Sequence, residues 1–267
     1  MIGLFLGDTD FSEIVLNKIK KLKKKYFIID FSTKSKFKSN KYSHRISIGK
    51  FGKILSLIKQ KKSKKVLFAG KIAKPKFSSL RLDFKGIYYM PSVIRAAKKG
   101  DAAIIKEIIK ILNKEGIKVI SSIYYNPELS LKAGNYTKLK PNKADFISIK
   151  KGIKYFNKLN ELDHVQALIV NNGKIVATEG KGGTRKMLTK LKKSTHGVLI
   201  KFPKKKQDLR MDLPTIGLQT LKDCKKNGLK GLVLKSKKNI ILDKVECIQF
   251  ANKNKIFIKI IWKKYLY

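Results

Sequence analysis

The chain is 267 residues long, with 63 Lys and Arg against 18 Asp and Glu, a formal charge of +45. At roughly 100–200 residues per domain this is one large domain or two ordinary ones, and a hydrophobic share of 43% excludes wholesale disorder. No apolar run approaches the roughly 20 residues of a membrane span; the opening Met1–Gly7 lacks the basic leader of a signal peptide; Cys224 and Cys247, without CxxC spacing or a neighbouring His, exclude a disulfide scaffold and a zinc ribbon and suit a reducing cytosol.

Strand and helix alternate along the first half. Ile2–Leu6 is a short apolar strand. Phe11–Lys24 carries Ile14, Val15, Ile19 and Leu22 at helical spacing. Tyr26–Asp30 is a second strand, Phe51–Gln60 a second helix and Val66–Ala69 a third strand. Asp101 is placed as the N-cap of a helix running to Glu115, with Ile104, Ile105, Ile108, Ile109 and Leu112 as its apolar stripe. Gly116 ends it, and Val119–Ser121 is another strand. Such alternation implies crossovers and a parallel sheet. Asn126–Pro141, with Pro127, Gly134 and Pro141, is the best linker candidate.

Beyond it the pattern turns α+β. A helix is predicted over Ala144–Leu162. Ala167–Val170 and Lys174–Ala177 form a hairpin through Asn171-Asn172-Gly173. Met187–Lys193 is helical, Val198–Lys201 a strand, and Leu218–Asn227 a helix closed by Gly228. Leu232–Lys235 and Ile240–Leu242 suggest a second hairpin. Asp243 is placed as the cap of a helix to Asn254, and Ile256–Ile261 is the last strand.

The charge invites a nucleic-acid reading, but its make-up argues against one. Only five cations are Arg, and the other 58 are Lys. Every fifty-residue stretch carries its share. Base readout and bidentate phosphate clamps favour Arg. Diffuse Lys fits a compositional bias better than a specific nucleic-acid partner, and leaves a general affinity for polyanions or anionic lipid.

Three stretches carry candidate chemistry. Gly3–Asp10 is a strand end, a glycine turn and a helix start, the place where open α/β sheets take ligands; it is equally an ordinary turn. Gly180-Lys181-Gly182-Gly183-Thr184-Arg185 is either a flexible turn or a phosphate-facing loop, and it does not fit GxxxxGK[ST]. The densest is Lys201–Gly217, where Asp208 and Asp212 lie among Lys201, Lys204, Lys205, Lys206 and Arg210. Acids that hold Mg²⁺ or orient water, beside cations that neutralise phosphoryl charge, suit phosphoryl chemistry. The alternative is a solvated charged loop. His44, His164 and His196 are too scattered for a triad, and Tyr88-Tyr89, Tyr124-Tyr125 and Trp262 read as core or interface residues.

These residues also resemble a known family. Gly3–Gly7, Gly49 with Phe51–Ile54, Phe68–Ile72 with Pro75, Gly100-Asp101 and Glu115-Gly116 match in the first half. In the second half, Gln166-Ala167, Glu179, Gly183-Thr184 and Val198–Lys201 match, and above all the string Gln207-Asp208-Leu209-Arg210-Met211-Asp212-Leu213-Pro214-Thr215-Ile216-Gly217. The chain resembles the UDP-2,3-diacylglucosamine pyrophosphatases of lipid A biosynthesis, the two-domain metal-dependent type distinct from the calcineurin-like phosphoesterases.

The resemblance implies an α/β protein with a Rossmann-like N-terminal domain (1–130), a linker (131–141) and an α/β C-terminal domain of family-specific fold (142–267) carrying the acidic element. It implies an active site between the domains and a homodimer; the amphipathic substrate suggests peripheral contact with the inner membrane, and the cysteine usage a cytoplasmic location. The reaction would split the pyrophosphate of UDP-2,3-diacylglucosamine into UMP and 2,3-diacylglucosamine 1-phosphate. Asp212, favoured over Asp208 as the essential acid, would work with Asp208, Arg210 and Lys201. Both acids would serve Mg²⁺ or Mn²⁺. Gly7, Asp8, Gly70, Gln207, Thr215, Gly183 and Thr184 would contact substrate. The turn Gly182–Arg185 departs from the family's Glu-Gly-Thr-Asp, so two acids are lost and a cation gained. Rival readings are a non-catalytic basic nucleotide- or nucleic-acid-binding protein, and a lipid-binding member without turnover.

Overall fold

Ile2–Leu6 (β1) is buried at every residue, as a strand covered on both faces must be. The computed structural model describes residues 1–73, 75–159, 165–180, 182–191, 195–204 and 207–262. They form two units. The first takes Met1–Asn126 together with Asp208–Asp212; the second takes the described residues of Pro127–Gln207 and Leu213–Tyr267.

In the first unit β1 is followed by α1 (Phe11–Lys21), β2 (Tyr26–Asp30), β3 (Ser43–His44), α2 (Phe51–Gln60), β4 (Lys65–Ala69), α3 (Phe84–Lys98), α4 (Asp101–Lys114) and β5 (Lys118–Ile120). The sheet order is β3-β2-β1-β4-β5, parallel throughout as expected. Phe5, Phe27, Ile29, Val66 and Phe68 pack on Ile54, Leu55 and Ile58 of α2 and on Ile109 and Leu112 of α4. Strand alternation turns Leu4, Leu6, Ile28 and Leu67 to the other face, where they too are fully buried. Helix α1 buries Val15, Leu16 and Ile19.

Asp101 is not the N-cap that the sequence suggests. Gly100, at φ +110°, takes that position because its backbone is one that L side chains avoid. Asp101 instead opens the helix, where a carboxylate suits the positive end of the dipole. Helix α3 is an addition to the predicted elements. It starts on Asp83, whose carboxylate accepts from Gly86 N–H at 2.9 Å and, from the first turn of α2, from Gly52 N–H at 3.0 Å and Lys53 N–H at 3.1 Å. One side chain caps two helices. Burial pushes this carboxyl up, but the three donors outweigh it and hold it below its usual value.

The second unit runs through β6 (Gly134–Asn135), α5 (Lys143–Leu159), β7 (Ala167–Asn171), β8 (Lys174–Thr178), α6 (Gly183–Thr189), β9 (Val198–Lys201), β10 (Thr215–Ile216), α7 (Leu218–Lys226), β11 (Gly231–Lys235), β12 (Ile240–Ile241), α8 (Lys244–Lys253) and β13 (Phe257–Ile261). Its six-stranded sheet has the order β6-β13-β11-β9-β7-β8. Strands β9, β11 and β13 are parallel, and β6, β7 and β8 add antiparallel pairs. Helix α5 covers one face through Ile149, Ile153 and Phe156. Helices α6, α7 and α8 cover the other through Leu188, Leu221, Cys224, Cys247 and Ala251. The start of α5 is a reciprocal capping box. Asp145 N–H donates to Asn142 Oδ1 at 2.9 Å, and Asn142 N–H donates to Asp145 Oδ2 at 3.0 Å.

The β7–β8 hairpin is present, turning through Asn172 (φ +46°) and Gly173 (φ +73°). The second expected hairpin is not. Strand β11 lies between β9 and β13, and β12 pairs in parallel with β10. The reason is visible in β11 itself: Gly231-Leu232-Val233-Leu234 is buried without alternation, as a central parallel strand requires. Asp243 stands at the N-cap of α8 as expected, but at φ +48° and without a side-chain capping bond; its carbonyl accepts from Cys247 N–H at 2.9 Å. The stretch read as a linker contributes β6, paired to β13 through Asn135 and Gly134. Leu162 and Lys193, at the expected ends of two helices, and His164, Lys181, Lys205 and Lys206 lie outside the described residues.

Candidate functional site

Strand β1 sits between β2 and β4, so the chain leaves it toward one side of the sheet and later returns on the other. In open α/β sheets the crevice at such a switch, beyond the carboxyl ends of the strands, is where ligands bind. Gly7, Asp8 and Gly70 all lie there. Gly7 N–H donates to Ala69 C=O at 2.9 Å, and Asp8 N–H to Lys71 C=O at 2.8 Å. The Ser12 hydroxyl bridges the carbonyls of Gly7 (2.9 Å) and Ala69 (2.8 Å). A Cβ on Gly7 would run into the Lys71 carbonyl. Gly70 at φ +83° has no room either, facing the Ser12 hydroxyl. Both glycines are therefore required by close backbone approach.

Asp8 Oδ1 accepts from Thr33 N–H at 2.7 Å and from the Thr33 hydroxyl at 2.8 Å, and these bonds hold its carboxyl below the usual value. Next to it Asp30, at the end of β2, is buried. It accepts from Ser32 N–H and its hydroxyl, with Arg45 at 3.7 Å. The edge is thus a hydrogen-bonded rim of acids, hydroxyls and backbone.

Asp208–Asp212 belongs to the same unit. Asp208 C=O accepts from Met211 N–H (3.3 Å) and Asp212 N–H (3.0 Å), closing a turn. Asp208 Oδ1 accepts from Arg210 N–H (3.0 Å) and Nε (2.9 Å), and Oδ2 accepts from Arg210 Nη2 (2.6 Å). Arg210 chiefly drives the Asp208 carboxyl below its usual value, and the guanidinium is raised in return. The turn is seated by Met211, packed on the core of the first unit, and by the Ser121 hydroxyl, which donates to Leu209 C=O at 3.3 Å. Ser121 directly follows β5, so the acidic turn sits at the carboxyl edge of that sheet.

In the second unit the hairpin delivers Glu179, 7% exposed. Its Oε2 accepts from the Thr184 hydroxyl at 2.9 Å, and Lys201 and Lys204 lie in its field. Burial nevertheless lifts its carboxyl above the usual value. Gly183, at φ +79°, opens α6 beside it. Lys201 Nζ donates to Thr215 C=O at 3.1 Å. Gln207 is buried; its Oε1 accepts from Lys204 N–H at 2.8 Å, and its Nε2 has no partner among the described residues.

The expected residues therefore fall into two groups. Gly7, Asp8 and Gly70 share the first unit with Asp208, Arg210 and Asp212. Gly183, Thr184, Lys201, Gln207 and Thr215 belong to the second. Glu179, matched in sequence but given no role there, is the buried carboxylate of the second group. Its signals in the sequence were that match and its place, a Glu closing a hairpin five residues before a Thr. Among the described residues no three His, Cys, Asp or Glu gather as a metal cluster. Asp208 is already bound by a guanidinium at both oxygens.

An α/β protein with a parallel-sheet switch point and an acid–arginine turn on the same edge is the class defined so far. Residues 1–129 match the LpxI N-terminal domain model and residues 132–259 the LpxI C-terminal domain model, and the chain belongs to that family. It is 31% identical over 223 residues to a UDP-2,3-diacylglucosamine pyrophosphatase LpxI of Caulobacter vibrioides, covering 80% of each chain.

Proposed function

We propose that this chain hydrolyses the pyrophosphate bond of UDP-2,3-diacylglucosamine, releasing UMP and 2,3-diacylglucosamine 1-phosphate, in lipid A biosynthesis. The observation that carries the reading is the seating of Asp208–Asp212 on the carboxyl edge of the parallel sheet, the edge that also holds Gly7, Asp8 and Gly70.

The bond resists water because its oxygens repel a nucleophile. In this reading Asp212 orients the attacking water. Arg210 meets the charge gathering on the phosphoryl oxygens, its fork held in place by Asp208. Gly7 and Gly70, which let the two loops of this edge pack closely on each other, are read as substrate contacts beside Asp8. Lys201, Gly183, Thr184, Gln207 and Thr215 are read as further substrate contacts, with Lys201 the second cation. Mg²⁺ or Mn²⁺, held by Asp212 and the substrate, would supply further neutralisation of the pyrophosphate charge. A homodimer working in the cytoplasm, in peripheral contact with the inner membrane, completes the reading. Among the described residues no helix is long and apolar enough to cross a membrane.

The test is incubation with UDP-2,3-diacylglucosamine, with and without Mg²⁺ or Mn²⁺, following UMP. The wild-type protein is expected to release it, and Asp212→Asn to do so ~10²–10³ more slowly. Substrate bound but never cleaved would convert the reading to a lipid-binding member of the family. Full hydrolysis by Asp212→Asn would remove Asp212 from the chemistry.

A further inference from the structure

Helix α3 turns the wrong side inward for an ordinary surface helix. Its buried residues are Gly86 and Tyr89. Phe84 (93% exposed), Ile87 (58%), Tyr88 (64%) and Ile94 (39%) face solvent, with Pro91 exposed between them. The spacing 84, 87, 88, 91 and 94 places these apolar groups on one stripe. A contiguous exposed patch of this kind marks a contact surface.

The stripe is framed by positive charge. Arg81, Arg95, Lys98 and Lys99 are all exposed on α3 or just beyond its ends. Lys114 of α4 lies over the Tyr88 ring at 5.6 Å. Two neighbouring acids are internally satisfied. Asp83 caps α2 and α3, and Glu115 is held by Lys85 (2.8 Å), the Tyr89 hydroxyl (2.6 Å) and Lys59 (3.6 Å). A cavity of about 610 Å³ adjoins the stripe, lined by Lys53, Leu55, Leu57, Lys59, Phe84 and Lys85 among others. It pairs ammonium groups with apolar walls.

Charge complementarity selects the occupant. A second copy seated on this face by two-fold symmetry would set the arginines and lysines near their own equivalents, a like-charge contact. A bilayer surface with anionic headgroups satisfies both parts. Aromatic and aliphatic side chains enter the headgroup–acyl boundary, and cations meet phosphates. We propose that the α3 face docks this protein on an anionic lipid bilayer, with Phe84, Ile87 and Tyr88 seated in it and Arg81, Arg95, Lys98 and Lys99 on its phosphates. This gives the peripheral contact of the functional reading a surface, and it stands whether or not the acidic turn hydrolyses its substrate.

The experiment is co-sedimentation of the full chain with vesicles of phosphatidylcholine, alone or mixed with phosphatidylglycerol, compared with Phe84→Ser/Ile87→Ser. That variant keeps every charge, so attraction by diffuse lysines alone predicts no change. Wild type is expected to pellet with the anionic vesicles and to retain part of that binding at high salt. The variant is expected to bind about tenfold less with its thermal midpoint unchanged. With substrate dispersed in detergent, the two should turn over equally. Equal binding by both proteins, or no binding by wild type, overturns the proposal. A wild-type dimer that the variant loses reassigns the face to contact between copies. Absence of UMP from wild type in detergent strikes the hydrolase reading and leaves the docking result as it stands.

Discussion

Arg210 and Asp208 form a pair whose contribution is orientation. The guanidinium is 43% exposed and the carboxylate 14%, and ion pairs this wet contribute ~0–1 kcal/mol to stability. Two parallel bonds nevertheless fix the plane of the fork. Arg210→Lys keeps the charge but loses that plane. It is expected to lower kcat at least about tenfold while leaving the thermal midpoint close to wild type, which steady-state kinetics and calorimetry on one preparation will check. Glu179 supplies a pH-dependent test. Burial raises its carboxyl above 4.5, so the folded state holds that proton to higher pH than the unfolded chain does. The resulting stability is fully present below 4.5 and is lost as pH rises through the folded value. Glu179→Gln removes this loss. Its melting temperature relative to wild type should therefore climb as pH rises from 4.5, and a flat difference would deny the raised carboxyl. The string Gln207–Gly217 was legible in sequence as a dense gathering of acids and cations and, above all, as the most specific match to the family. Glu179 was not, because its character comes from burial beneath a hairpin and a bond to Thr184, and neither is local.

At the level of elements, strands with two buried faces were the most readable. Ile2–Leu6, Tyr26–Asp30 and Val198–Lys201 fall where their apolar runs put them. Helix α3 escaped because Gly86 and Pro91 interrupt it and its apolar stripe faces out, so the usual inward periodicity is missing. The partners of β11 and β12 were misjudged because a short polar turn between two apolar runs looks the same whether the runs pair with each other or with distant strands. Close packing at this scale is testable at Gly152, where α5 meets the sheet. A Cβ there would press on Val170 and Ile200 at 2.5 and 2.6 Å. Gly152→Ala should cost about 1–3 kcal/mol, despite the better helix propensity of Ala, because the neighbours are core side chains without room to move. Chemical denaturation will measure it.

For the molecule as a whole, +45 acts as self-repulsion spread over the surface. Raising ionic strength shortens the Debye length from ~30 Å at 0.01 M to ~3 Å at 1 M. The melting temperature should rise with sodium chloride across that range, and a fall would show that attractive pairs dominate instead. Charge, then, says little about the reaction, whereas the order in which the chain is made says more. The sheet edge that seats the acidic turn is complete by Ser122, but Asp208–Asp212 is translated some eighty residues later. A ribosome finishes the parallel sheet before it has made the acidic turn that seats on its edge. The first unit released alone would be a socket without its plug, and the rest of the chain a plug without its socket. Supplied as two fragments cut near Asn126, the protein should regain turnover only when they recombine, so that activity waits on the arrival of the last-made part of the site, on the same chain or on a partner fragment.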